Sequence, residues 1–157
     1  YIAGLAPFNV KDYDIVVLNQ DGTNSFPIQV KTTASNKRGW IMQEKHEKPI
    51  KDLYYCFVFL SEKLSDTEIF IIDSKNVAYF LKLTHSIWLK VPGKNGKKHN
   101  DSKMRMLGRG INQSYINDFE KIKKLLTEKE QKFILSMKKK DNAWIEQFRN
   151  AWDLIKV

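Results

Sequence analysis

Three polar side chains on two adjacent predicted strands have the types and the spacing needed for phosphodiester chemistry. Asp14 stands at the head of an apolar, β-branched run, and Gln29 and Lys31 lie two residues apart in the run 26–33. Residues two apart on a strand point to the same face, roughly 6.5–7 Å from each other. A carboxylate and a carboxamide oxygen can hold a divalent cation, and an ammonium group beside them can bind a phosphate. The pattern therefore predicts metal-assisted cleavage of phosphodiesters.

The context of these residues distinguishes them from chance matches. The chain has 27 Lys and Arg residues, and other Glu/Gln-x-Lys matches occur at 43–45 and 130–132, but neither follows a strand hairpin. Asp21-Gly22, between the two runs, is a strong turn signal and predicts that they pair as a hairpin. The alternate residues of the second strand predict a core-facing side: Ile28, Val30 and Thr32. Taken singly, Asp14 could be a strand-end cap, Gln29 a satisfied polar residue and Lys31 a solvated charge.

A family resemblance rests on these same segments. Tyr13-Asp-Ile-Val-Val and Ile28-Gln-Val-Lys-Thr-Thr33, with Trp40 and the strand Tyr54-Tyr-Cys-Phe-Val-Phe-Leu60, resemble the PD-(D/E)XK, or restriction-endonuclease-like, superfamily. The likeness is greatest to small bacterial members that carry an IQVKTT motif, and it covers about residues 1–112. It implies an α/β core with a central mixed sheet flanked by helices.

The resemblance also implies roles for individual residues. Asp14 would be a metal ligand, Gln29 would occupy the position of the second acid, the carbonyl of Val30 would complete the Mg²⁺ or Mn²⁺ shell, and Lys31 would be the catalytic lysine. Gln29 departs from the usual Glu or Asp, so the predicted site has one fewer negative charge. Members often carry a further acid on a helix before the first strand, which in this chain would precede Tyr1.

Length and composition limit the classes of protein that fit. A chain of 157 residues with 42% hydrophobic residues fits about one domain with a substantial core. The single cysteine, Cys56, lies in an apolar strand, which predicts an inert buried thiol and a reducing compartment, so a cytoplasmic location is expected. No apolar run approaches the roughly 20 residues of a membrane helix, and no membrane association is expected.

The net charge of +9 favours a polyanionic partner, and we expect double-stranded DNA. A merely Lys-rich composition would explain the same charge. Lys37 and Arg38 follow the motif strand and are candidate phosphate contacts, as are Lys97 and Lys98 in the Gly- and Lys-rich loop 91–99, although that loop could simply be solvated. The loop lacks P-loop spacing.

The three histidines lie in different segments without metal-ligand spacing, which argues against a zinc site.

Hydrophobic periodicity gives the remaining elements. We expect an irregular segment at 1–9, strands at 13–19, 26–33, 40–43, 54–60 and 69–72, a loop or short helix at 43–52, and a helix at 77–84 capped by Asp73 or Ser74. The segment 104–110 is expected to close the core. A nuclease-like core at 1–112 would be followed by a helical extension at 113–157.

In that extension we expect a helix at 115–126, a second helix after a capping box at Thr127–Glu130, and a last helix with one apolar stripe: Trp144, Phe148, Trp152 and Ile155. The extension could dock on the core, extend a DNA-binding surface or mediate a homodimer. The leading interpretation is a metal-dependent DNA endonuclease of defence or repair. The alternatives are a non-catalytic nucleic-acid-binding or protein-interaction module, and a toxin, effector or assembly subunit that pairs through its helices.

Overall fold

The computed structural model describes residues 2–7, 10, 12–34 and 38–155, and they form an α/β fold around a mixed five-stranded sheet. The strands are β1 (Ile2–Leu5), β2 (Ile15–Leu18), β3 (Ser25–Ala34), β4 (Gly39–Gln43), β5 (Tyr54–Leu60), β6 (Glu68–Asp73) and β7 (Met104–Gly108). The helices are α1 (Ser74–Lys90), α2 (Gln113–Asn117), α3 (Phe119–Ile122) and α4 (Glu128–Lys139). The sheet order is β1-β2-β3-β5-β6, and the β3–β5 pair is parallel while the other pairs are antiparallel.

The predicted hairpin is confirmed. β2 and β3 pair antiparallel with Ile15 opposite Ile28. In the turn, the carboxylate of Asp21 accepts hydrogen bonds from the N–H and the hydroxyl of Thr23, and Gly22 adopts φ +71°. Glycine takes this left-handed conformation without steric cost, which explains the turn at this position.

One prediction at the edges of the motif is wrong and another is confirmed. The segment expected to be irregular contains β1, which pairs with β2 along its whole length. The predicted third strand is present as β4, and it pairs with β7 in a separate two-stranded sheet. The reason is that β2 and β5 already occupy both sides of β3, so β4 crosses the face of β5 instead. There Trp40 packs on Phe57 and Phe59, with ring centroids 5.0 and 4.0 Å away.

The predicted capped helix is confirmed at its start and extends further than expected. The side chain of Asp73 accepts the N–H of Asn76 at 3.0 Å, as an N-cap does. The helix continues beyond Thr84 to Lys90 because it still presents a buried side chain at Ile87. The segment expected as a loop or short helix contains a 3-10 turn at Glu44–Glu47.

Both faces of the sheet carry apolar clusters, and the larger one is not on the expected side. The side chains of Ile28 and Val30 belong to a small cluster with Cys56 and Ile155. The main core covers the opposite face, which is the face of Gln29, and joins β5, α1 and the C-terminal segments. The side predicted to face the core is therefore the less deeply covered one.

The C-terminal segments differ from the predicted continuous helices. The expected helix 115–126 is interrupted at Asp118, which has ψ 20°, and α4 follows its capping box as predicted. The expected last helix is instead two 3-10 turns, Trp144–Phe148 and Trp152–Leu154, because Asn150 takes φ +49° and donates its N–H to the carbonyl of Ile69.

C-terminal side chains share the main core with the sheet: Tyr115, Ile116, Leu126, Phe133, Ile134, Met137, Trp144, Ile145 and Phe148. The boundary at 112/113 and a homodimer through these helices stay predictions. Among the residues described, no helix is both long enough and apolar enough to cross a membrane.

Candidate active site

Asp14 is fixed against the middle of β3 by two hydrogen bonds. Its N–H donates to the carbonyl of Ile28 at 2.8 Å, and its carboxylate Oδ2 accepts the N–H of Val30 at 2.7 Å. Asp14 directly precedes β2. Its carboxylate, instead of a backbone carbonyl of a longer β2, therefore accepts the N–H of Val30. The N–H and C=O of one strand residue point to the same side, and the carbonyl of Val30 therefore faces the same strand edge as this carboxylate.

Gln29 and Lys31 share the sheet face that carries the main core, as the strand period predicts. Both are half-buried, and in the parallel register they lie beside Tyr55 and Phe57 of β5. Asp14 precedes Ile15, which pairs with Ile28, so it is level with Gln29. The fold therefore brings the carboxylate, the carboxamide and the Val30 carbonyl to adjacent positions, with Lys31 two residues further along β3.

The 3-10 turn at Glu44–Glu47 adds a buried histidine above this face. The Nδ1 atom of His46 accepts the N–H of Gln43 at 2.9 Å, and its ring packs edge-on against Tyr55, with centroids 6.0 Å apart. Burial lowers the pKa of His46, and the positive charges of Lys31 and Lys45 lower it further. The ring is therefore neutral at neutral pH with its proton on Nε2, and Nε2 has no hydrogen-bond partner in the described part of the chain.

An ion pair connects the same turn to the segment before β2. The ammonium of Lys45 lies 2.8 Å from the carboxylate of Asp12, whose backbone adopts φ +81°. Burial raises the pKa of Tyr55 to about 12, and the negative charge of Asp12 adds to the effect. Tyr55 is the β5 neighbour of Gln29 in the parallel register.

The oxygen donors around Asp14 are of the type that a hard cation binds, but only one of them is charged. The carboxylate of Asp14, the carboxamide oxygen of Gln29 and the carbonyl of Val30 are oxygen donors of the kind that Mg²⁺ and Mn²⁺ take, with water and substrate oxygens in the other positions. Within residues 2–7, 10, 12–34 and 38–155, no group of three or more His, Cys, Asp or Glu side chains is placed to hold a metal ion. The predicted ligands therefore supply one carboxylate only.

The three predicted phosphate-binding residues that the structure describes make no described contact with this site. Lys37 lies outside the described residues. Arg38 is exposed and lines a cavity of about 650 Å³ between α1 and β7. Lys97 and Lys98 are exposed beyond the C-terminal end of α1, a helix of 17 residues that is about 25 Å long. No described contact joins them to the candidate site.

The structure also gathers side chains that appear unrelated in the sequence. His85, Trp88 and His99 stack in series, with ring centroids 5.3 and 4.2 Å apart, and His85 lies 2.8 Å from Asp101. Through His99 and Asp101, the segment 91–103 therefore packs against α1. Trp88 thus stacks with both histidine rings.

Sequence reasoning missed Asp12, Lys45 and His46. Lys45 and Asp12 are 33 residues apart, and no periodicity or spacing links them. Only the tertiary fold brings the turn at 44–47 over Tyr55, so no sequence signal could have identified these residues.

Comparisons of the chain with protein-family models, with curated proteins and with solved structures find no match.

Proposed function

We propose that the protein is a metal-dependent endonuclease of the restriction-endonuclease-like type that hydrolyses phosphodiester bonds in DNA. The observation that carries the proposal is the hydrogen bond between the Asp14 carboxylate and the N–H of Val30. It holds a carboxylate beside the strand that carries Gln29 and Lys31. In that position the carboxylate can bind a cation, and the ammonium can bind the phosphate that the cation contacts. The net charge of +9 supports a polyanionic substrate.

Each residue has a distinct role in this proposal. Asp14, Gln29 and the carbonyl of Val30 would hold a divalent cation, and when bound that cation would supply Lewis-acid chemistry, lowering the pKa of a water and polarising the phosphate. Lys31 donates hydrogen bonds to a phosphate oxygen and offsets the charge that develops as the P–O bond breaks. His46 is not the general base, because Nδ1 is occupied by the N–H of Gln43 and Nε2 carries the proton.

The test is cleavage of plasmid DNA by the full chain with Mg²⁺ or Mn²⁺. Asp14→Asn keeps an oxygen that can accept the Val30 N–H, and Lys31→Met keeps the apolar stem, so both variants should fold. We expect each to lose at least about 100-fold in rate, as expected for a group that stabilises the transition state. Asp21→Asn in the hairpin turn is the matched control and should cleave normally. Unchanged cleavage by Asp14→Asn or Lys31→Met would refute these assignments.

A second candidate function is a non-catalytic nucleic-acid-binding module. It is favoured by the neutral Gln29 and by the fact that the Asp14 carboxylate already acts as a strand-end acceptor for Val30. Fluorescence anisotropy with labelled duplex DNA separates the two functions. Salt-dependent binding without cleavage under any metal condition would support the module, whereas cleavage that depends on Asp14 would exclude it.

A further inference from the structure

We propose that the cavity between α1 and β7 is a second binding site, which takes one unpaired nucleotide with its base against the apolar wall and its phosphate at Arg38. None of the residues that line this cavity belongs to the motif of Asp14, Gln29 and Lys31. The inference goes beyond the proposed function, because binding of a nucleotide here does not require cleavage.

The cavity has the size and the lining of a small-ligand site. Its volume of about 650 Å³ lies within the range of about 300–1,000 Å³ that small-molecule pockets occupy. Apolar and aromatic side chains form much of its wall: Phe80, Leu81, Trp88, Met104, Met106 and Tyr115. Met104 and Met106 are 57% and 48% exposed, and flexible thioether side chains adapt their shape to a ligand. Such a wall suits the flat, apolar face of a nucleobase.

The charges of the cavity favour an anionic group. None of the described residues that line it is Asp or Glu. Arg105 is buried and paired with Glu47, and His85 lies 2.8 Å from Asp101. Arg38, in contrast, is exposed and has no ion-pair partner among the residues that the structure describes. Its planar guanidinium presents N–H donors in a fork that matches a phosphate, so Arg38 is the anion-binding group of the cavity.

The cationic and the aromatic groups stand at opposite ends of β7. The carbonyl of Arg38 approaches the last residue of β7, Gly108, so closely that a Cβ atom there would lie 3.3 Å from it. Met104 begins β7, four residues and roughly 14 Å away. Trp88 lies toward the Met104 end, because it stacks with His99 in the segment that leads into β7. A base at this end and a phosphate at Arg38 leave space for the sugar between them.

Two polar side chains of the wall have hydrogen-bonding capacity to spare. Tyr115 is 8% exposed, and its phenol has no hydrogen-bond partner in the described part of the chain. Burial raises the pKa of Tyr115, so the phenol stays protonated and can donate. The Oδ1 atom of Asn112 accepts hydrogen bonds from Ser114, whereas its Nδ2 has no described partner. A sugar or a base edge offers the acceptors that both groups lack.

The experiment is isothermal titration calorimetry of the full chain with deoxyadenosine monophosphate (dAMP), deoxyadenosine and inorganic phosphate. We expect dAMP to bind at least about ten-fold more tightly than either of its halves, because a charge-assisted hydrogen bond adds to burial of the base. Arg38→Gln should reduce dAMP binding to the level of deoxyadenosine. Lys103→Gln removes the same charge from a residue that does not line the cavity, and it should bind as the parent chain does.

A second pair of variants tests the apolar wall. Met106→Ala should weaken dAMP and deoxyadenosine alike by about three- to ten-fold, since it removes apolar contact with the base. Ile41 is the cross-strand partner of Met106 on the same face of the two-stranded sheet, but it does not line the cavity. Ile41→Ala is therefore the matched control and should leave binding unchanged.

A short single-stranded oligonucleotide identifies the source of the nucleotide. Binding that is tighter than that of dAMP and is lost in Arg38→Gln supports an unpaired nucleotide of a nucleic acid. Binding of dAMP without Arg38-dependent binding of the oligonucleotide supports a free nucleotide.

Four results would overturn the inference. Equal binding of phosphate and dAMP would reduce the cavity to an anion site, and tighter binding of octanoate than of dAMP would make it a site for apolar acids. Absence of binding of both dAMP and the oligonucleotide at millimolar concentration would leave the cavity without this role. Loss of dAMP binding in Asp14→Asn would place the nucleotide at the motif instead. If Asp14→Asn binds dAMP normally, the inference stands even where the chain cleaves no DNA.

Discussion

Glu130 is the most deeply buried carboxylate that the structure describes, and its replacement should give a pH-dependent loss of stability. Its carboxylate accepts hydrogen bonds from Lys90 at 2.7 and 2.8 Å, from Ser86 at 2.6 Å and from the N–H of Thr127 at 2.7 Å. These bonds join α4 to α1. Burial raises the pKa of Glu130, but the hydrogen bonds from Lys90, Ser86 and Thr127 outweigh it and hold the pKa at about 2. Glu130→Gln keeps the shape and removes the charge.

The size of the effect follows from the difference between folded and unfolded pKa values. An unfolded glutamate has a pKa of 4.5, so the carboxylate contributes about 3 kcal/mol at neutral pH. Because the folded pKa is the lower one, this stability is complete above pH 4.5 and is lost as the pH falls toward 2. At pH 3 about 1.5 kcal/mol remains. Lys90 is 35% exposed, and solvent screening reduces the expected loss in Glu130→Gln to about 2–3 kcal/mol at pH 7.

Urea unfolding followed by circular dichroism at pH 7 and pH 3 measures this difference. The matched control is Glu128→Gln, two residues earlier on α4, where the carboxylate is 80% exposed and pairs with the exposed Lys132. The control should lose about 0.5 kcal/mol or less. Equal losses for the two variants at pH 7, or a loss in Glu130→Gln that is the same at both pH values, would refute the account of the buried charge.

Two further predictions concern local structure. Burial raises the pKa of the Cys56 thiol to about 11. A thiol reagent at pH 8 should therefore label the native chain at least about 100-fold more slowly than the urea-unfolded chain. Fast labelling of the native chain would contradict the buried position of Cys56 in β5. Asn142→Ala removes two hydrogen bonds to the backbone of Ile111, at 2.8 and 2.7 Å, and should cost about 2 kcal/mol by urea unfolding. Asp141→Ala, at a similar φ of +49°, measures the backbone strain alone and should cost about half as much.

The parts of the fold that the sequence predicts are those that local signals determine. The hairpin at Asp21-Gly22, the N-cap at Asp73 and the capping box at Thr127–Glu130 each depend on residues a few positions apart, and each is present. The partner of β4 depends on which strands already flank β3, and an apolar run contains no information about that. The prediction of a last helix is wrong for the same reason, since the N–H of Asn150 donates to the carbonyl of Ile69, which is distant in sequence.

The candidate site is likewise only partly predictable, because local signals place some of its residues and tertiary packing places the others. A strand period of two is enough to place Gln29 and Lys31 on one face, and the turn between the strands brings Asp14 level with them. The approach of the 44–47 turn depends on its packing over Tyr55, and side chains placed in this way leave no pattern in the sequence. Sequence reasoning therefore finds the motif and misses the charges that surround it.

The charges of the motif bear directly on the choice between the two proposed functions. The one acid and the one ammonium, Asp14 and Lys31, balance each other, and Gln29 and His46 are neutral. Such a site attracts a phosphate as readily as a cation, which suits a binding module. Hydrolysis requires that Asp14, as the one carboxylate of the motif, hold a cation together with neutral oxygen donors. Cleavage that depends on Asp14 is therefore the observation that separates catalysis from binding.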